Sequence, residues 1–451
     1  MLEKKRTINS NIVINPSMGD SFVGQCCLTY LLHSTESHPM GHHILLKQPI
    51  KERYQQSLIR YASKYLSKHL SRTNLDAIVL WQLKDLFAPS SNLAFQNWVK
   101  VYNYDGLHRI TMKSESPLWC AALHGLAGIV EWLLPSVASQ TEILDALYPA
   151  SLYGHVAIVN ILLESQAKFD YQAECAGTAT QGQISSSSAP LIKNMNNKVV
   201  FRHRFCGYAV EAASECGHEH IVELLLANGA DVNAQGGRYG NALQAASQDG
   251  HNKIVELLLE KGANVNAQGG LYGNALQAAS QRGHNKIVEL LLEKGANVNA
   301  QGGLYGNALQ AASQRGCSKI VELLLEKGAD VNAQGGEYGN ALQAASQMGH
   351  RKIVELLLEK GADVNAQGGR YGNALQAASQ RGHNKIVELL LANGADVNAQ
   401  GGVYGDALQA ASHRGHNKIV ELLLEKGANV NAQGGLYGNA LPVELLHQDG
   451  C

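Results

Sequence analysis

Near-verbatim repetition at a fixed period constrains this chain more than any other feature of its sequence. From Tyr239 the run YGNALQAASQxGHNKIVELLLEKGANVNAQGG returns at Tyr272, Tyr305, Tyr338, Tyr371, Tyr404 and Tyr437, always 33 residues on. Units 239–271 and 272–304 differ at one position, Asp249 against Arg282. A looser copy at 206–238 keeps Ala212-Ala213, Gly217-His218 and the stretch from Ile221 to Leu226 in register. A unit this short cannot bury its own apolar face, so each copy must stack on the next and the array grows along one axis. The usual relation between length and domain count therefore does not govern the 451 residues.

Unit 239–271 illustrates the local logic. Asn241 accepts from the freed N–H groups at a helix start, which predicts a first helix from Ala242 to Gln248, stopped by Gly250. Small Ala245 and Ala246 let that helix approach its neighbours closely. A second helix is predicted over about Lys253 to Lys261, with Ile254, Leu257 and Leu258 as its core residues. Gly262 ends it in the left-handed conformation, and Asn264-Val265-Asn266 leads into an extended finger that turns at Gly269-Gly270.

The words Gly250-His251, then Ile254-Val255-Glu256-Leu257-Leu258-Leu259, then Gly262-Ala263-Asn264-Val265-Asn266-Ala267 resemble the ankyrin signature over almost a whole repeat. Where ankyrins usually carry Thr-Pro-Leu-His, this chain has Asn241-Ala242-Leu243-Gln244, in which asparagine keeps the capping role and glutamine can bond between repeats. The resemblance implies an all-α solenoid of helix pairs with β-hairpin-like fingers. It also implies that the histidines at 251, 284, 350, 383 and 416 bond to backbone between stacked units, with Cys317 replacing one of them.

Two degenerate units are expected at 116–170. The first is Ser116-Pro117-Leu118-Trp119-Cys120-Ala121-Ala122-Leu123-His124-Gly125 with Ile129-Val130-Glu131-Trp132-Leu133-Leu134; the second runs from Ala146 through Gly154-His155 to Leu163. Residues 171–205 turn polar, with Ser185 to Ser188 and Asn194 to Asn197, and are expected to be a flexible insertion or a decayed repeat. Residues 1–115 follow a different, helical grammar. Leu58, Tyr61, Ala62, Tyr65 and His69 share one helix face, and Ile78, Trp81, Leu86, Phe95 and Trp98 are the expected aromatic-rich core. The words from Cys27 to Leu32, from Tyr61 to His69 and from Phe95 to Trp98 resemble the helical segment between the NACHT NTPase and the ankyrin array of fungal NLR-like receptors. The YGNALQAAS wording is similar to the same group. That resemblance implies a sensing or inhibitory role. A nucleotide-binding P-loop needs Gly-Lys, a dipeptide absent here, so no NTPase is expected within this chain.

Other chemistry finds little support. Lys and Arg number 37 against 38 Asp and Glu, a balance that gives no field for nucleic acid or an anionic membrane. No apolar stretch approaches bilayer-spanning length and the N-terminus lacks a signal-peptide core, so a soluble cytoplasmic protein is expected. The eight scattered cysteines suit reduced thiols rather than a disulfide framework. His218-Glu219-His220 and His42-His43 lack zinc-site spacing, and no G-x-S-x-G or HExxH occurs, so no metal, cofactor or catalytic site is expected. Pairs such as Lys253 with Glu256 read as solvated helix-surface contacts. The chain stops at Cys451, before its last unit can form a second helix. The edge around Leu441, Leu445 and Leu446 is therefore expected to fray or self-associate.

The candidate binding residues are the ones at which the copies disagree. The residue before the tyrosine runs Arg238, Leu271, Leu304, Glu337, Arg370, Val403, Leu436; the residue before the helix-ending glycine runs Asp249, Arg282, Arg315, Met348, Arg381, Arg414. What stacking requires is fixed, and these slots are free. By the ankyrin resemblance both line a concave face and its finger tips, where protein partners dock. Tyr239, Tyr272, Tyr305, Tyr338, Tyr371 and Tyr404 form a row beside them, read either as a contact stripe or as rings packed finger on finger.

Overall fold

The computed structural model describes residues 26–27, 77–88, 95–96, 98–99, 116–137, 140–175, 204–435 and 438–439. The chain divides into two compact units, Met1–Val200 and Phe201–Cys451.

In the second unit each described 33-residue copy folds into the same helix pair. The first helices are α6 (Arg204–Cys216), α8 (Ala242–Asp249), α10 (Ala275–Arg282), α12 (Ala308–Arg315), α14 (Ala341–Met348), α16 (Ala374–Arg381) and α18 (Ala407–His413). Each is followed by its partner: α7 (Glu219–Ala227), α9 (Asn252–Glu260), α11 (Asn285–Glu293), α13 (Ser318–Glu326), α15 (Arg351–Glu359), α17 (Asn384–Ala392) and α19 (Asn417–Glu425). Asn241 caps α8 by accepting from Gln244 N–H at 2.9 Å, and Gly250 closes it at φ +85° with its N–H on the Ala246 carbonyl. The cap is worth about 1 kcal/mol per repeat. First helices stack on first helices far more intimately than second helices do on one another. The alanines explain this: Ala245 and Ala246, and their copies, are fully buried and bring the backbones together.

The second helix differs from expectation in its core. Ile254, Val255 and Leu258 are buried, whereas Leu257 is only half-buried. A nine-residue helix wedged between its own partner and the next repeat buries adjacent positions 254 and 255 on two contact directions, which a single-stripe reading misses. The Lys253 ammonium likewise pairs with Glu219 of the preceding repeat at 3.5 Å rather than along its own helix.

Between repeats, Gly269 N–H donates to the Gly273 carbonyl at 2.8 Å, closing a finger whose turn is Gly270-Leu271-Tyr272. Gly270 sits at φ +60°, and a Cβ there would run into the Tyr239 carbonyl of the preceding finger, so only glycine fits. In the last described finger the pairing lengthens to two short strands, β1 (Gln433–Gly434) and β2 (Gly438–Asn439). Side-chain amides tie each finger to the next helix pair: Gln244 Nε2 donates to the carbonyls of Ala267 and Gly273, both at 3.1 Å, and the pattern recurs at Gln277, Gln310, Gln343 and Gln376. A second ladder runs through the asparagines: Asn266 Nδ2 donates to the Gly295 carbonyl (3.1 Å) while its Oδ1 accepts from Asn297 N–H (2.7 Å).

The first unit contains α1 (Ala77–Leu86), α2 (Pro117–Leu123), α3 (Ala127–Leu133), a 3-10 turn at Leu134–Ser136, α4 (Gln140–Leu152) and α5 (Val156–Cys175). Its packing order, α2 on α4 and α3 on α5, is that of the repeats, and His155 Nε2 lies 3.2 Å from the Leu123 carbonyl. The expected core is half right. Leu86, Phe95 and Trp98 are buried, but Ile78 and Trp81 are 59% and 67% exposed. Val79 and Leu83, on the opposite face of α1, and Phe87, just past its end, take their place. Phe87, Phe95 and Trp98 meet pairwise at 5.5–5.9 Å, and Trp98 lies 5.1 Å from the His124 ring. Helix α5 extends past the expected boundary at 170. The face from Leu58 to His69, residues 176–203, Leu436 and Tyr437, and the Leu441, Leu445 and Leu446 edge lie outside the described residues.

Candidate protein-binding site

The variable finger-tip residues are joined through their own backbones. Leu271 N–H donates to the Arg238 carbonyl (3.3 Å), Leu304 to Leu271 (3.0 Å), Glu337 to Leu304 (3.2 Å), Arg370 to Glu337 (3.0 Å) and Val403 to Arg370 (3.1 Å). Six positions separated by 33 residues in sequence thus become consecutive rungs. Their backbones are fixed while their side chains differ, which gives a rigid row with a free chemical pattern. Arg238, Leu271, Leu304, Glu337 and Arg370 are exposed and Val403 is half-buried. Leu271 and Leu304, at 39% and 42%, are two of the few large apolar side chains left open to solvent among the described residues. Arg370 Nη1 lies 3.7 Å from Glu337 Oε1, and the Arg238 guanidinium lies 5.9 Å from the Tyr239 ring.

Beside this row runs the tyrosine row. Tyr239 and Tyr272 rings stack at 6.3 Å and 5°, and Tyr272 and Tyr305 at 6.1 Å and 14°. Tyr239, Tyr272 and Tyr371 are buried, at 7%, 7% and 8% exposure, while Tyr305, Tyr338 and Tyr404 are half-buried. From Tyr239 to Tyr305 the ring faces are therefore committed to finger-on-finger packing, and what these rings offer outward is edge and hydroxyl. The hydroxyls of Tyr239, Tyr338 and Tyr404 are held by the residue that precedes the helix-end slot of the preceding repeat. Gln314 Nε2 approaches Tyr338 Oη at 3.5 Å, Gln380 Nε2 approaches Tyr404 Oη at 3.4 Å, and Tyr239 Oη donates to Glu215 Oε1 at 3.3 Å. Burial, followed by the Glu215 charge, pushes the Tyr239 hydroxyl up to about 12, and burial likewise raises Tyr305 and Tyr338, so all three stay protonated at neutral pH.

The helix-end slots flank the tyrosines on the other side. Asp249, Arg282, Arg315, Arg381 and Arg414 are exposed and Met348 is half-buried. Arg414 Nη2 donates to Tyr404 Oη at 3.3 Å. With the Gln248 amide oriented to donate to Tyr239 Oη (3.2 Å), its Oε1 accepts from Arg282 Nε at 2.7 Å. Arg282 is thus oriented by the preceding repeat and Arg414 by the tyrosine of its own. Together the two variable rows carry six arginines against Asp249 and Glu337, a basic surface on a chain whose net charge is −1.

The Gly-His slot serves stacking. His251, His284, His350, His383 and His416 place Nε2 3.0–3.2 Å from a carbonyl 36 residues upstream. Burial holds His383 below the usual histidine range, which suits a neutral ring donating to the Gln347 carbonyl. One feature of the first regular repeat escaped the sequence reading. In the column occupied by Gln244 and its copies stands Glu211, 5% exposed, accepting from Tyr239 N–H at 3.0 Å and with its pKa raised to about 7, chiefly by burial. Aligning the looser copy at the 33-residue period was the signal that would have found it.

Among the described residues no group of His, Cys, Asp and Glu side chains could hold a metal ion, and no helix is long and apolar enough to cross a membrane. Comparison with curated proteins gives no match. Among solved structures, the crystal structure of the human ASB11 ankyrin repeat domain is similar at 26% identity and a TM-score of 0.42, covering 48% of this chain and 96% of that one. The family described as "Ankyrin repeats (3 copies)" matches residues 208–302, 303–368 and 365–434, about half of the chain and most of its regular array. With a 33-residue helix pair, a glycine-closed finger and a histidine link to the preceding unit in successive copies, this chain belongs to the ankyrin-repeat family.

Proposed function

We propose that this chain is a protein-recognition module whose docking surface is the double row of finger-tip and helix-end residues on either side of the tyrosines. Ankyrin repeats are protein–protein interaction modules, and the observation that carries the assignment to this surface is where the copies differ. Units that are otherwise nearly identical vary at these two columns, as at a few others such as Asn252, Ser318 and Arg351 at the start of the second helix; both columns are mostly exposed, and backbone hydrogen bonds join the finger-tip residues rung to rung. Tyrosine and arginine are enriched among the side chains that dominate protein interfaces, and two open leucines add apolar area beside them. No catalytic role is assigned to any residue. The finer reading is that the array is the ligand-sensing or autoinhibitory part of an NLR-like signalling protein in the cytosol, supported by the wording of residues 1–115 and of the YGNALQAAS repeats.

Peptides selected from a random library on the full-length chain test the surface. With Arg282, Arg315, Arg381 and Arg414 changed together to Ala, the selected peptides should lose at least about tenfold in affinity while the circular dichroism spectrum is unchanged. Unchanged affinity would remove these rows as the docking surface. For the signalling role, the coding sequence upstream of Met1 should contain a P-loop reading frame; a promoter directly upstream would favour an adaptor without an NTPase.

A further inference from the structure

We infer that the docking surface has one principal anchor, Leu271 and Leu304 together with Arg282 and Arg315, and that its partner is a protein segment presenting apolar side chains next to carboxylates. The inference rests on the recognition role proposed above and deepens it to a subsite and a class of ligand.

Among the described residues of the second unit, Leu271, Leu304 and Val430 are the large apolar side chains left exposed. Leu271 and Leu304 are neighbouring rungs of the finger-tip ladder, joined by the bond from Leu304 N–H to the Leu271 carbonyl at 3.0 Å. Next to them in sequence, the Tyr272 and Tyr305 rings stack at 6.1 Å, so both finger tips are held and an incoming apolar side chain meets two leucines on a backbone already fixed. Neither leucine is required for stacking. Other fingers hold Arg238, Glu337, Arg370 and Val403 at the same position, and the backbone ladder runs through them unchanged. Two adjacent leucines kept in water without a packing role are stabilised by a partner that covers them.

Charge decides what accompanies the apolar contact. Units 272 and 305 share one combination, a finger-tip leucine with a helix-end arginine, whereas units 239, 338, 371 and 404 carry Arg238 with Asp249, Glu337 with Met348, Arg370 with Arg381, and Val403 with Arg414. Arg282 and Arg315 are exposed. Burial raises the Tyr305 hydroxyl and the Arg282 charge opposes that rise, which sets Arg282 within electrostatic reach of the finger carrying Leu304. Exposed ion pairs alone contribute little, and an apolar contact that excludes water beside them strengthens them. The anchor is bounded by carboxylates: Asp249 ends the first helix of the preceding unit, and Glu337, 3.7 Å from Arg370, occupies the next finger tip. A nucleic-acid backbone, charged at every nucleotide, would face both of them. A short acidic and apolar segment fits between.

Three short peptides are compared on the full-length chain: Leu-Leu flanked on both sides by Glu, the same peptide with Ser-Ser at its centre, and the same peptide with Lys for every Glu. The first should bind at least about tenfold tighter than either of the others, and its affinity should fall with added salt. Leu271→Ser with Leu304→Ser should weaken it about tenfold, whereas Arg381→Ala with Arg414→Ala should change it by less than about threefold. Leu271→Ser alone should also weaken it, and adding Glu337→Leu and Met348→Arg, which rebuilds the leucine and arginine pair over units 305 and 338, should restore the affinity. Misfolding cannot produce that recovery. Undiminished binding by the double serine variant, or no recovery in the rebuilt one, would overturn the anchor. Equal binding of the Ser-Ser or the Lys peptide, binding of no peptide, or tighter binding of a single-stranded oligonucleotide or of phosphatidylserine vesicles would overturn the acidic and apolar ligand class. The recognition surface itself is judged separately, by the library-selected peptides and the four-arginine variant, and stands through these failures if those peptides still depend on the arginines.

Discussion

Glu211→Gln is the substitution for which the structure gives the sharpest expectation. Elsewhere in the array the column holds glutamine, whose amide donates to the carbonyls 23 and 29 residues on. By register those carbonyls are Ala234 and Gly240 for Glu211, and an ionised carboxylate has no proton to offer them. Burial, with the Glu215 charge adding to it, raises its folded pKa to about 7 from an ordinary 4.5. Because the folded value lies above the unfolded one, the carboxyl's contribution is fully present below pH 4.5 and is lost as pH rises through about 7. A shift of that size corresponds to about 3 kcal/mol withdrawn from the first regular repeat by pH 8. Urea denaturation of the full-length chain, followed by hydrogen exchange over residues 208–240, reads both the global and the local effect. At pH 8 the Gln variant should be more stable than the parent by up to about 3 kcal/mol, with slower exchange at Tyr239 N–H; near pH 4.5 the two should converge. A stability difference that does not change with pH would refute the reasoning.

Two further substitutions test the stacking chemistry. Cys317→His restores the ring that elsewhere reaches a carbonyl 36 residues upstream, here that of Gln281, and should raise stability by about 1 kcal/mol in urea denaturation. Ser280 is fully buried and its hydroxyl has no partner in the structure, so Ser280→Ala should stabilise by about 1 kcal/mol, with a destabilised variant counting against the unpaired hydroxyl.

What the sequence revealed depended on whether the cause was local. The asparagine caps, the left-handed glycines and the finger turn rest on residues a few positions apart, and each appears where the residue types place it. The histidine links were readable through the ankyrin resemblance, since their partners lie in another repeat. Val255 in place of Leu257, and Val79, Leu83 and Phe87 in place of Ile78 and Trp81, were not readable. A helix with two packing neighbours buries a wider arc than a single stripe, and the direction of that arc depends on elements distant in sequence. The candidate site divides in the same way. Its variable positions stand out in a bare alignment of the copies, whereas their union into one backbone ladder, and the burial of the tyrosine faces, follow from the stacking distance between fingers.

A reciprocal charge exchange at one slot tests most directly whether these rows read a partner position by position. Arg315→Glu should weaken a selected peptide that binds through an acidic residue, and replacing that residue by Lys should recover affinity for the variant. The coupling should be at least about 0.5 kcal/mol in a double-mutant cycle and absent between the same Lys and Arg414→Glu, three repeats away. Coupling that is equal for both variants, or zero for Arg315→Glu, would contradict the account.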